Sequence, residues 1–82
     1  MEQSSQKTGS YPFEISWVAV GRRIRELRGF DMTQEQFASR IGISQNYLSV
    51  MERGKVEISA RILLRIGQEF KKSVEWLLTG KD

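Results

Sequence analysis

The chain has 82 residues, enough for one small core and no second domain. It holds no cysteine and no histidine, which removes disulfides, thiolate metal sites, the commonest zinc ligand and the commonest general base. Thirteen Lys and Arg against ten Asp and Glu leave a formal charge of +3, a modest excess that attracts polyanions without selecting one.

The opening run "MEQSSQKTG" has no apolar residue after Met1, so it cannot offset the entropy lost on ordering. Residues 1–12 are therefore expected to form a flexible arm, with the folded domain over 13–82. Pro12 is the only proline, and nothing after it forbids long helices. No apolar run approaches the roughly 20 residues of a membrane span, and Met1 to Ser10 lacks a signal-peptide core. A soluble cytoplasmic protein is expected.

Trp17, Val20, Ile24 and Leu27 recur at steps of three and four, which predicts a first amphipathic helix ending near Gly29. Its other face carries Arg22, Arg23, Arg25 and Arg28, read as a solvated surface. Thr33 with Gln36 three residues later is a capping box, and it opens a second helix over about 34–41 with Phe37, Ala38 and Ile41 as its apolar side. Gly42 stops it. Ser44 can cap a third helix, about 44–53, with Tyr47, Leu48 and Met51 on one side and Gly54 beyond its end. Ser59 can cap a fourth, carrying Ile62, Leu63, Ile66 and Phe70. Ser73 can open a short fifth with Val74, Leu77 and Leu78. No segment alternates like a half-buried strand, so the fold class is all-α.

Two short helices joined around a glycine can pack at a steep angle, the arrangement of a helix-turn-helix. Glycine takes the left-handed backbone that such a turn demands without a Cβ penalty. Ala38, one turn earlier, is small enough to let the next helix approach, and Ile41, Ile43, Leu48 and Met51 would bury the inner faces. On a wheel of about 100° per residue, the buried side of the third helix centres near Ser44, Leu48 and Met51. The opposite arc holds Gln45, Asn46, Ser49, Val50 and Arg53. Gln and Asn bond bidentately to the N6 and N7 edge of adenine, Ser adapts to several bases, and a small apolar side chain meets the thymine methyl. Arg53 can reach phosphate or guanine. A helix fits the major groove, with its N-terminal residues nearest the bases.

The run "TQEQFASRIGISQNYLSVMERGK" resembles the helix-turn-helix of the Cro and phage-repressor family of bacterial and phage regulators, often called the XRE family. The resemblance extends from about Gly21 through "VEWLLTG". It implies a compact five-helix, lambda-repressor-like DNA-binding domain. It also implies a phosphate contact for Gln34, which would brace Gln45, and base contacts from Gln45, Asn46, Ser49 and Val50. Lys55 and the start of the second helix, including Thr33, look like phosphate ligands. Family members commonly pair an arginine at the end of helix one with a glutamate near the end of the recognition helix, here Arg28 and Glu52. Three departures stand against that pattern. The link "GFDM" is a residue shorter than usual, which works against the Arg28–Glu52 geometry. "KVEIS" lacks a common proline and brings the acidic Glu57 near the DNA side. "FKKS" replaces a glycine turn before helix five.

Tyr47 either fills the edge of the core or sets its hydroxyl on a phosphate. Trp76 lies off the stripe of helix five, as a second core contact or as part of a dimer surface. Glu14, Glu26 and Glu35 are scattered, and no pair of carboxylates has a spacing that argues for acid and base catalysis. No catalytic residue, cofactor or metal is expected. The expected function is sequence-specific DNA binding in transcription regulation, as a repressor, by a homodimer on a near-palindromic double-stranded operator. The rival is an antitoxin-like or other protein-interaction module that uses the same fold to bind a protein partner.

Overall fold

Five hydroxyl side chains start the five helices of the computed structural model, which describes residues 14–81. Ser16, Thr33, Ser44, Ser59 and Ser73 each stand in extended backbone and accept a hydrogen bond from the amide three residues on, at Ala19, Gln36, Tyr47, Ile62 and Trp76. Each such bond satisfies an amide the helix cannot, and stabilises by about 1 kcal/mol. The helices that follow are α1 (Trp17–Arg28), α2 (Gln34–Ile41), α3 (Gln45–Glu52), α4 (Ala60–Phe70) and α5 (Val74–Thr79). Among the described residues there is no strand. The expected arm over 1–12 lies outside the described residues.

The helix ends are as specific as the starts. Gly42 takes the left-handed conformation (φ 78°, ψ 32°), and the amide of Ile43 closes the end of α2 by donating to the carbonyl of Ala38 at 2.9 Å. Gly54 (φ 72°) ends α3 in the same way, with its own amide on Met51 and the Lys55 amide on the Val50 carbonyl. Both are six-to-one closures that use up carbonyls otherwise left bare. At the end of α4 the "FKKS" segment reaches the same geometry without glycine: Lys71 itself is left-handed (φ 61°, ψ 43°) and the Lys72 amide bonds the Gly67 carbonyl at 3.0 Å.

Helix α1 lies against α3 and α5, α2 against α3 and α4, and α4 against α5. At the centre Val20, Ile24, Phe37, Leu48, Met51, Ile66 and Leu77 have no exposed surface, each contributing about 1.5–3 kcal/mol by leaving water. Trp17, Leu27, Tyr47, Ile62, Phe70, Val74, Trp76 and Leu78 are half-buried around them. Trp76 thus packs on the core, and the Lys72 ammonium lies 4.7 Å from its ring centre. Ile58, in the loop before α4, joins the core as well.

At Gly21 an added Cβ would stand 2.4 Å from the Met51 carbonyl oxygen. The backbone of α1 therefore crosses the last turn of α3 in direct contact. The Phe37 and Phe70 rings stack with centroids 4.7 Å apart and tie α2 to α4. Arg40 caps that stack, 4.9 Å from the Phe70 centroid, while its Nη2 bonds Glu69 at 2.8 Å.

Three expectations about burial need correcting. Ile43 is only half-buried, because the turn carries it past the interior, and Ser44 is exposed, because capping holds it at the helix start. The arginines of α1 are not a uniformly solvated face. Arg23 donates from Nη1 to the Leu77 carbonyl at 2.9 Å, closing the end of α5, and Arg28 is drawn inward to Glu52.

Candidate nucleic-acid interface

Helix α3 is amphipathic in an unusual sense: its inner side is apolar while its outer side is polar and nearly uncharged. Leu48 and Met51 are buried, Gln45 and Asn46 are exposed on the first turn, and Ser49 and Val50 are partly exposed one turn on. Among the described residues no hydrogen bond engages the side chains of Gln45 or Asn46, so their amides are free for a partner. No acid lies in that first turn, so the positive end of the helix dipole is not offset locally. Arg53 and Lys55 are exposed at the other end, with Arg53 Nε resting on the Ser49 carbonyl at 3.3 Å. Because the Lys55 amide closes α3, its backbone is held in place relative to the helix.

Beneath this surface lies a buried charge. The Glu52 side chain is 2 % exposed and forms a two-pronged pair with Arg28, Nε to Oε2 at 2.8 Å and Nη2 to Oε1 at 3.0 Å. Gln34 Nε2 donates to the same Oε1 at 3.0 Å, and Arg25 Nε stands 3.9 Å from it. Burial pushes the Glu52 carboxyl up, but the bonds from Arg28 and Gln34, with the charges of Arg28 and Arg25, outweigh it and hold the group below its ordinary value. Glu52 therefore stays ionised at neutral pH. It joins the end of α1, the start of α2 and the end of α3.

The shortened link does not prevent the Arg28–Glu52 pair. Gly29 (φ 65°, ψ −161°) ends α1 abruptly, and the chain folds back so that the Met32 carbonyl accepts Arg28 Nη1 at 3.2 Å. Gln34 differs from the expected brace: its amide is committed to Glu52, and among the described residues no hydrogen bond joins it to Gln45. Thr33 is exposed, with its hydroxyl accepting the Gln36 amide at 3.0 Å and the Gln36 side chain accepting the Thr33 amide in return. Tyr47 is half-buried against the core.

Thus Thr33, Gln34, Gln45, Asn46, Ser49, Val50, Arg53 and Lys55 belong to two short helices and their flanks, held at a fixed angle by a left-handed glycine. The helix-turn-helix family model matches residues 22–77. The chain belongs to the helix-turn-helix family. Its similarity to known helix-turn-helix proteins is of two kinds. In sequence it is 40 % identical over 63 residues to the propionyl-CoA carboxylase regulator of Cereibacter sphaeroides, covering 76 % of this chain but 14 % of that protein. It is 34 % identical over 61 residues to an uncharacterized HTH-type transcriptional regulator of Archaeoglobus fulgidus, covering 73 % of this chain and 87 % of that one. In structure it resembles the P22 c2 repressor, solved in complex with a synthetic operator, with a TM-score of 0.70, 28 % identity, and coverage of 76 % of this chain and 96 % of that chain. Family, fold and relatives are those of DNA-binding transcriptional regulators. Among the described residues no acidic cluster is placed to hold a metal ion, and no helix is long and apolar enough to cross a membrane.

Sequence reasoning missed Arg23, Gly21 and the role of Gln34 on Glu52. Arg23 and the Leu77 carbonyl are 54 residues apart, so no local pattern reveals them. Gly21 interrupts an apolar stripe, a weak sign of close helix packing. Gln34 carried a family role that points outward, which hid the inward one.

Proposed function

We propose that this helix-turn-helix protein is a repressor that lays α3 in the major groove and reads bases with Gln45, Asn46, Ser49 and Val50. Thr33, Gln34, Tyr47, Arg53 and Lys55 are its phosphate or positioning contacts. Two copies act together on a near-palindromic operator, with half-sites about one helical turn apart. Dimerisation multiplies the limited discrimination of one module. The setting is cytoplasmic, and the reading assigns no catalytic residue, cofactor or metal.

The observation that carries this reading is the pair of unengaged amides on the first turn of a helix whose Leu48 and Met51, on the other side, are wholly buried. Side-chain amides in that position match base edges, since each offers a donor and an acceptor in one plane. The operator-bound P22 c2 repressor supports the same docking here. Selection from random duplex DNA, followed by gel-shift titration of the enriched sequence, tests it. A two-fold related pair of half-sites is expected, and Asn46→Ala should lose preference at one base pair in each. An enrichment that yields no common sequence would sink the proposal.

A further inference from the structure

Phe30 is fully exposed in the turn between α1 and α2. A lone apolar side chain on a surface needs no explanation, but this one stands over a cleft of about 500 Å³ whose walls are Arg22, Arg25, Glu26, Arg28 and Gly29. Arg28 is committed to Glu52 through both prongs, while the Arg25 side chain is 69 % exposed. Arg25 also approaches the same Glu52 oxygen that accepts the Gln34 amide. That convergence on one Glu52 oxygen sets the Arg25 wall of the cleft beside the edge proposed above for Thr33 and Gln34.

We propose that this cleft is a second contact with the DNA backbone, in which Arg25 pairs with a phosphate outside the bases read by α3 and Phe30 packs on the adjoining deoxyribose. A phosphate and its sugar match a cleft whose three arginines outnumber its one acid, Glu26, beside a phenyl rim. Arg25, 69 % exposed and only 3.9 Å from Glu52, favours an anion over a second copy of a basic chain. The inference rests on the groove-reading proposal, because it takes its position from the same duplex. It adds affinity without sequence preference, since sugar and phosphate are the same at every base pair.

The test is fluorescence anisotropy of the full chain on the selected operator and on a scrambled duplex, across a range of salt, for wild type, Arg25→Gln, Phe30→Ser and Asn46→Ala. Arg25→Gln should weaken both duplexes about threefold to tenfold and make the log–log salt slope shallower by about 0.9. Phe30→Ser should weaken both by about threefold with the slope unchanged. Both variants should melt as wild type does, because Phe30 is fully exposed and an exposed charge at 3.9 Å contributes little to folding. Wild-type affinity in either variant, while Asn46→Ala still loses operator preference, overturns this inference and leaves the groove reading intact. So does a Phe30→Ser chain that keeps its DNA affinity but loses self-association in sedimentation, which would make the turn a contact between chains. A wild-type chain that binds neither duplex overturns both.

Discussion

The first and last turns of α3 have opposite chemistries. At the first, Gln45 and Asn46 face outward with no hydrogen-bond partner among the described residues. At the last, Met51 is wholly buried, Glu52 is bonded to α1 and α2 through Arg28 and Gln34, and the Met51 carbonyl touches the backbone of α1 at Gly21. One end of an eight-residue helix holds position and the other is left free to recognise. Such a short helix has little stability of its own, so the angle of its free end is set almost entirely by what grips the other.

That contrast can be broken most strongly at Glu52. Glu52→Ala leaves Arg28 partly buried without its counterion, and urea unfolding should show a loss of about 3 kcal/mol. Acid should remove part of that contribution by degrees. Because the folded carboxyl titrates below its ordinary value, its contribution is complete above about pH 4.3 and disappears as pH falls through the lower folded value. Thermal melts of wild type should decline over that acidic window, and melts of Glu52→Gln should lack this component. Gly21→Ala comes next. Its Cβ would meet the Met51 and Glu52 carbonyl oxygens at 2.4 and 2.7 Å, and displacing α1 from α3 should cost about 2 kcal/mol in urea unfolding.

At the free end the same measurements should show almost nothing. Gln45→Ala and Asn46→Ala should unfold within about 0.5 kcal/mol of wild type, yet each should lose about 1 to 3 kcal/mol of operator binding in gel-shift titrations. Loss of fold stability in Asn46→Ala would mean that the two turns are not functionally separate. The smallest effect lies away from α3. Lys71 holds a left-handed backbone that disfavours any side chain, so Lys71→Gly should raise the unfolding free energy by up to about 1 kcal/mol and leave DNA binding unchanged.

How much of this was legible before any coordinates follows from the range of each signal. Helices α2 to α5 were readable because their capping hydroxyls are local, and α1 because its apolar period and the closing Gly29 lie within its own segment. The outward amides of α3 were readable because a helical wheel needs only its own segment. The Glu52 cluster was legible only through family resemblance, since Arg28 and Glu52 are 24 residues apart, and the short link pointed against it. Arg23 was misread because a surface arginine and a helix-capping arginine look alike in sequence. Ile58 was missed because a single apolar residue in a loop has no period, and the exposure of Phe30 was missed for the same reason.

The closing of α3 on Gly54 has one more consequence. With the helix end stapled by main-chain bonds from Gly54 and Lys55, the four outward positions can be exchanged as a cassette without disturbing what anchors them. Replacing Gln45, Asn46, Ser49 and Val50 with the corresponding residues of another repressor should re-address this scaffold to a foreign operator, with its melting temperature preserved.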